Sequence, residues 1–279
     1  MEEENDDEDI SPLNVLLNDE DNEEKVLVNG QHTEHKANGG NTVMQNGPAK
    51  QQLLQKHSLR SINSTVVIRQ LPSEGLSFQL WPAATTLVSL LDGYRCESAS
   101  SPLTSTLSVF SVDPNRRPLN ILELGSGTGI VGIVAAITLG ANVTATDLPH
   151  VVPNIQFNAN ANAGVLASSG GAVNVAPLRW GHADDVEVIG RDFDVILASD
   201  VVYHDHLYEP LLQTLRMLLA GNQRRKAVFV MAHLRRWKKE SVFFKKARKL
   251  FDVDVLHLDT PCEGSRVGVI VYRFVGKKG

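Results

Sequence analysis

Asn120-Ile121-Leu122-Glu123-Leu124-Gly125-Ser126-Gly127-Thr128-Gly129 runs into an apolar stretch from Ile130 to Val143 and then into Thr146-Asp147. The order is strand, glycine turn, helix, second strand, with a carboxylate where the second strand ends. Glycines lack a Cβ, take positive φ readily and let the backbone pass close to a bulky ligand. Asp147 stands 22 residues after Gly125, about the distance at which such a unit offers an acid to the hydroxyl pair of a ribose. The segment therefore predicts a nucleoside-cofactor site at one edge of a strand–helix–strand unit.

A dinucleotide fingerprint requires glycine at its first, third and sixth positions, and counting from Gly125 the sixth is Ile130. The spacing present is Glu-x-Gly-x-Gly-x-Gly, starting at Glu123. It resembles motif I of the class I methyltransferases, which bind S-adenosyl-L-methionine and have no pyrophosphate to cradle.

Apolar runs of strand length recur along the chain: Ile121 to Leu124, Val143 to Thr146, Val173 to Pro177, Phe193 to Ala198, Ala227 to Ala232, Val253 to Leu258 and Val267 to Phe274. Runs without alternation point to strands covered on both faces, as in a helix-wrapped parallel sheet. The last two are separated only by Asp259 to Arg266, too short for a crossover helix, so they should form an antiparallel hairpin. Helices are expected at 129–140, 149–162, 206–220 and 237–250. The third carries an apolar stripe of Leu207, Leu211, Leu215 and Leu218 and is followed by Gly221 as a stop. Ahead of the sheet, Thr65 to Gln70 and Leu76 to Leu80 flank Pro72-Ser73-Glu74-Gly75 and read as a hairpin leading into a helix from Ala83 to Leu91. Residues 93–118, rich in Ser and Pro, read as a surface loop.

At 279 residues with 42% hydrophobic content, the chain has room for one α/β domain and appendages. Of its 32 acidic residues, 12 fall within residues 1–24, where there is no Lys or Arg, leaving a body with 27 basic against 20 acidic side chains. Residues 1–58, acidic at the start, with Asn-Gly repeats and no aromatic residue, bury too little apolar area to offset chain entropy and are expected to be a disordered tail. Residues 59–279 are expected to hold the catalytic domain. Only Cys96 and Cys262 occur, so neither a disulfide framework nor a zinc cluster is expected. The longest apolar run is too short to span a bilayer, and the N-terminus is acidic where a targeting peptide would be basic. A cytoplasmic location, with the nucleus as the alternative, is the expectation.

Phe193-Asp194-Val195-Ile196-Leu197-Ala198-Ser199-Asp200-Val201-Val202-Tyr203 is the second informative segment. Ligands of an open parallel sheet sit outside the carboxyl ends of the strands, where strand order reverses. Ser199, Asp200 and Tyr203 should therefore reach the crevice that Gly125 to Gly129 border. A helix-capping role is the competing reading for Asp200, and a core aromatic for Tyr203. Trp81 and Trp180 each follow a strand-like run, and an indole face within about 6 Å of a sulfonium contributes ~0.5–2 kcal/mol.

Leu80-Trp81-Pro82-Ala83-Ala84, the glycine motif, Thr146-Asp147-Leu148 with Asn158 downstream, Trp180-Gly181 and Ser199-Asp200-Val201-Val202-Tyr203 together resemble methyltransferase family 16, the seven-strand protein-lysine methyltransferases. The likeness covers roughly residues 62–275. It implies a Rossmann-like class I sheet, mostly parallel with an antiparallel C-terminal hairpin, and S-adenosyl-L-methionine as cofactor. The cofactor-binding set is then Trp81, Glu123, Gly125, Ser126, Gly127, Asp147, Trp180 and Ser199, with Asp200 and Tyr203 catalytic on the acceptor side and no metal. Two departures bear on substrate identity: Ser199 stands where the family often has Ala or Gly, and Arg179 where it often has an acid.

The resemblance implies transfer of a methyl group to a lysine of a soluble protein. A nucleic-acid or small-molecule methyltransferase of the same fold, or a non-catalytic interaction module, are the alternatives. Residues 224–226, 235–239 and 245–249 carry 11 positive charges against one acid, Glu240. That face fits a solvated surface, an acidic protein partner, or, less well, nucleic acid, because basic residues bind phosphate without reading sequence.

Overall fold

The computed structural model describes residues 52–110, 117–220, 227–261 and 267–277. Seven strands form the central sheet in the order β5-β4-β3-β6-β7-β9-β8. They are β3 (Asn120–Leu124), β4 (Asn142–Asp147), β5 (Ala172–Pro177), β6 (Val195–Ser199), β7 (Val228–Leu234), β8 (Phe251–Leu258) and β9 (Val269–Gly276). β3 pairs in parallel with both β4 and β6, β4 with β5, and β6 with β7. β9 inserts antiparallel between β7 and β8, with an irregularity at Val255/His257. All seven expected strands and the C-terminal hairpin are present. The strand order reverses at β3, so the crevice opens beyond the carboxyl ends of β3, β4 and β6.

Strand β3 is buried from Ile121 to Leu124, and β6 from Val195 to Ala198, as unbroken apolar runs require. The helix Ile130–Leu139 is buried along nearly its whole length because it is wedged between the sheet and the helix Pro82–Cys96. β7 serves two layers by alternation: Val228, Val230 and Ala232 join that apolar cluster, while Phe229 meets Phe274 at 5.0 Å between ring centroids. The helix Ser241–Leu250 adds Phe243 and Phe244 to the aromatic layer, and Phe244 lies 4.7 Å from Tyr272.

Three expectations need correction. The N-terminal hairpin is not made of Thr65 to Gln70 and Leu76 to Leu80. It pairs β1 (Leu53–Leu59) with β2 (Ser64–Gln70), while 72–74 and 76–78 are single 3₁₀ turns. Strand β1 thus lies inside the segment expected to be tail, of which residues 1–51 fall outside the described residues. Residues 93–118 are not simply surface loop either: the helix from Pro82 continues to Cys96, and Leu103, just before the short helix Thr104–Leu107, and Leu107 at its end are buried in the main core, while 111–116 lie outside the described residues. Helices Ala163–Ser169 and Ala183–Ile189 were not anticipated, because each is only seven residues long and lacks a full apolar stripe.

A polar device that has no hydrophobic signature docks the hairpin. Asn154 and Asn158 on the helix Val152–Ala161, and Asn162 just past its end, project at i, i+4 and i+8. Asn162 accepts the Val67 N–H (2.9 Å) and donates to the Val67 carbonyl (2.8 Å). Asn158 does the same to Arg69 (2.8 and 3.1 Å) and donates to the Thr128 carbonyl in the glycine turn (2.8 Å). Helix side chains thereby satisfy the free edge of β2 as another strand would. Asn158 is fully buried, and removing it takes the partner from the Arg69 N–H and the Thr128 carbonyl and leaves the Arg69 carbonyl only the 3.5 Å contact of Asn154, with about 1–3 kcal/mol for a group left unsatisfied. Asn158→Ala is expected to lower unfolding free energy by about 2–3 kcal/mol in urea titration, whereas the exposed Gln156→Ala should change it by less than about 0.5 kcal/mol. A loss under 1 kcal/mol for Asn158→Ala would mean the hairpin docks mainly through Val66 and Ile68.

Candidate active site

Four segments converge where β3, β4, β5 and β6 end. Leaving β3, Gly125 (φ 62°) and Gly127 (φ 58°) both take the left-handed region. A Cβ on Gly125 would lie 3.0 Å from both Trp180 and Val201, and one on Gly127 would lie 3.1 Å from the Ser77 carbonyl. The glycine turn is thus lined by the indole on one side and roofed by the 76–78 turn on the other. Ser126 is turned inward: its amide donates to the Thr146 carbonyl (2.9 Å) and its hydroxyl accepts the Thr146 N–H (3.0 Å). It clamps the turn to β4, which leaves its amide unavailable to a ligand.

Asp147 ends β4 and is 8% exposed. Its carboxylate accepts the Gly127 N–H (2.8 Å) and the Leu148 N–H (2.7 Å). Each oxygen keeps a lone pair for a further donor. Burial raises its pKa above the ordinary carboxylate range, against the pull of those two amides. Glu123, placed by sequence among the cofactor-binding residues, lies underneath the turn. It is 1% exposed and accepts the Gly132 N–H at 3.0 Å. That amide belongs to the first turn of the helix Ile130–Leu139, so Glu123 caps a helix from a neighbouring strand. Burial pushes its pKa up to about 8, and the nearby Asp147 adds to the rise.

Trp180 follows β5 and is half-buried. Gly181 N–H donates to the Thr214 hydroxyl (2.8 Å), pinning the Trp180-Gly181 pair to the helix Tyr208–Ala220. Arg179, one of the family departures, is engaged with Asp185 through a two-pronged ion pair (2.9 and 2.8 Å). That pairing holds Asp185 well below the usual carboxylate range.

Beyond β6, Asp200 has φ 54°, unusual for a residue with a side chain, though Asp is among the types that tolerate it. Three contacts over-determine the conformation. The Asp200 amide donates to the Ala232 carbonyl (2.9 Å), its Oδ1 accepts the Leu234 N–H (3.0 Å), and its Oδ2 accepts from Arg236 Nη2 (2.9 Å). The Asp200 side chain is only 4% exposed. Behind it His233 lies with Nδ1 3.7 Å from Asp200 Oδ1 and Nε2 3.2 Å from Glu240 Oε2, all three side chains nearly fully buried. Glu240, counted from sequence as the acid of a basic surface, is fully inside and also accepts the Arg236 amide (3.0 Å). Ser199 ends β6 and is half-buried. Tyr203 is half-buried too, with its ring 4.6 Å from that of His204, and burial raises the pKa of its phenol, the charge of Asp147 adding to the rise.

Trp81 does not follow a strand. It precedes the helix Pro82–Cys96, donates its indole N–H to the Leu76 carbonyl (3.0 Å), and has the Arg236 guanidinium 5.2 Å from its ring centre. The ring therefore stands on the Asp200 side of the site. The structure brings Gly125, Gly127, Asp147 and Trp180 together, with Val201 of the Asp200–Tyr203 turn beside Gly125, and engages Glu123 and Ser126 in bonds beneath and behind the turn. Ser77, His233, Arg236 and Glu240 were not anticipated. His233 sits in an apolar strand run and Glu240 in a basic stretch, and neither pattern hints that the two meet. Among the described residues there is no cluster of His, Cys, Asp or Glu able to hold a metal, and no helix is long and apolar enough to cross a membrane. Residues 224–226 of the basic stretch and Cys262 lie outside the described residues.

A family model described as lysine methyltransferase matches residues 61–250. Protein N-lysine methyltransferase METTL21A of Danio rerio is 37% identical over 159 residues, 57% of this chain and 66% of that one. EEF1A lysine methyltransferase 3 of Mus musculus is 34% identical over 199 residues, covering 71% of this chain and 72% of that one. The family match contains the glycine turn, Asp147, Trp180 and the Asp200 turn in one continuous span, and this chain belongs to the lysine methyltransferase family.

Proposed function

We propose that this protein transfers the methyl group of S-adenosyl-L-methionine to the side-chain amine of a lysine on another protein. The observation that carries the reading is the meeting of the glycine turn, the Asp147 carboxylate that accepts the Gly127 N–H, and the Asp200–Tyr203 turn, whose Val201 packs against Gly125. The residues fit the cofactor. Gly125 and Gly127 let Trp180, Val201 and the Ser77 carbonyl close on the turn where a Cβ would lie 3.0 or 3.1 Å from them, and Asp147 is buried, yet has lone pairs left for two ribose hydroxyls. When bound, the cofactor supplies an electrophilic methyl group on a sulfonium.

The protein's task is then to deliver a neutral amine in line. A lysine ammonium has a reference pKa of about 10.4, so its neutral form costs ~4.6 kcal/mol at pH 7. Asp200 favours the charged form and Tyr203 the neutral one. Asp200 therefore captures and aims the incoming ammonium, and the proton leaves before the nitrogen lone pair attacks. Tyr203 shapes the channel, and much of the rate comes from positioning. Relatives named for protein-lysine methylation, METTL21A among them, support a protein acceptor. The exposed Lys245, Lys246 and Lys249 on the helix Ser241–Leu250 favour an acceptor with an acidic surface. The near absence of cysteine favours a reducing compartment, the cytoplasm or nucleus.

The experiment is incubation of a cell extract with labelled cofactor, comparing wild type with Asp200→Asn. A protease-sensitive band that fades at least about a hundredfold with the variant is the expected result, on the scale of one lost positioning contact. Label in RNA, or an undiminished band, overturns the assignment.

A further inference from the structure

We propose that the space between the Trp81 ring and the Asp200 carboxylate is a cation subsite for the acceptor, and that the chain's own Arg236 fills it until an acceptor displaces it. The inference rests on the lysine-methyltransferase reading of the site and adds the identity of an internal competitor. The guanidinium occupies the place an alkylammonium would need. It lies 2.9 Å from Asp200 Oδ2 and 5.2 Å from the centre of the Trp81 ring, a pairing of aromatic face and anion suited to any monovalent organic cation. The second Asp200 oxygen is taken by the Leu234 amide, so Oδ2 is the side on which a substrate amine would be received.

Exposure fits a gate. The Arg236 side chain is 29% exposed while Asp200 is 4% exposed, so Arg236 closes a buried carboxylate from the solvent side. Its backbone stays anchored by the hydrogen bond that its N–H donates to Glu240 Oε2. The remaining side-chain bond, from Nη1 to the Leu234 carbonyl, is 3.2 Å. The long side chain can therefore leave without unfolding its segment. His233 and Glu240, packed beneath, remain in place when it does.

The physical consequence is selectivity. An ammonium entering this space must expel a guanidinium of equal charge, which a small free amine with no other contacts does poorly. A lysine carried on a protein brings further contacts to the rim, where Trp237 is 58% exposed beside Lys238 and Lys239. Discrimination thus comes from a built-in competitor rather than from a narrower pocket.

The test uses the full chain saturated with S-adenosylhomocysteine, whose binding is first measured by calorimetry, and n-butylammonium chloride as the probe against matched sodium chloride. Thermal midpoints are followed for wild type, Arg236→Ala, Arg236→Lys and the double variant Asp200→Asn with Arg236→Ala. Arg236→Ala should show saturable stabilisation at a concentration at least about tenfold lower than wild type. Arg236→Lys should behave as wild type, and the double variant should lose the response. Equal responses in wild type and Arg236→Ala, or a response that survives in the double variant, overturn the proposal while leaving the cofactor reading intact. Should Arg236→Ala not fold, Arg236→Gln takes its place with the same expectation. Absence of heat with S-adenosylhomocysteine in folded wild type overturns the cofactor reading, and this inference with it.

Discussion

Asp147→Ala is expected to weaken S-adenosylhomocysteine binding by about a hundredfold to a thousandfold in calorimetry. Hydrogen bonds to a charged group contribute about 1.5–3 kcal/mol each, and the proposal places two ribose hydroxyls on this carboxylate. The low exposure of Asp147 keeps water from replacing those contacts cheaply. The same side chain also holds the Gly127 and Leu148 amides, so part of the loss is expected to appear as a looser glycine turn. Asp147→Asn separates the two effects. It keeps the volume but turns an amino group toward one of two backbone donors, and should lose at least tenfold in affinity while its unfolding midpoint shifts less than that of Asp147→Ala. Binding within threefold of wild type in both folded variants would remove Asp147 from the cofactor site.

The second large effect concerns pH and stability. The Glu123 carboxyl has its folded pKa raised to about 8 by burial, against an unfolded value near 4.3. A raised acid binds its proton more tightly when folded, so its contribution is full below pH ~4.3 and is lost as pH rises through about 8. At ~1.4 kcal/mol per pH unit, the window carries roughly 5 kcal/mol. Asp147, raised in the same direction, adds to the slope. Glu123→Gln keeps an acceptor for the Gly132 amide and cannot ionise. Urea titrations from pH 5 to 9 should therefore show wild type losing stability with rising pH and Glu123→Gln losing markedly less. The variant should match wild type near pH 5 and exceed it at pH 9. Parallel curves for the two proteins would show that the carboxyl is ionised in the fold at neutral pH.

The two expectations mark where sequence reading of the site stops. Glu123 and Asp147 were both assigned to the cofactor, since a motif records which residues stand at a turn and not which way each side chain leaves it. Asp147 ends its strand and reaches the crevice. Glu123 lies within β3, where alternation sends its side chain under the turn onto the Gly132 amide. Trp81 and Trp180 looked equivalent as two indoles near the crevice. Packing separates them: Trp180 is held against Gly125 by the Gly181–Thr214 bond, and Trp81 pairs with Arg236 beside Asp200.

Local pattern by itself determined the seven strands, the parallel core with its antiparallel C-terminal pair, the glycine turn and the position of Asp147. Those features follow from apolar runs, Cβ-free positions and spacing along one continuous stretch, which are short-range quantities. The tertiary structure alone decided that asparagines at helical spacing cover the β2 edge, that Glu240 is buried against His233, and that Arg236 stands between Trp81 and Asp200. Each of these depends on polar groups from separate elements finding one another where water is excluded. Hydrophobic periodicity carries no record of such pairings, because a buried polar side chain is stabilised by its partner and not by its place in the sequence.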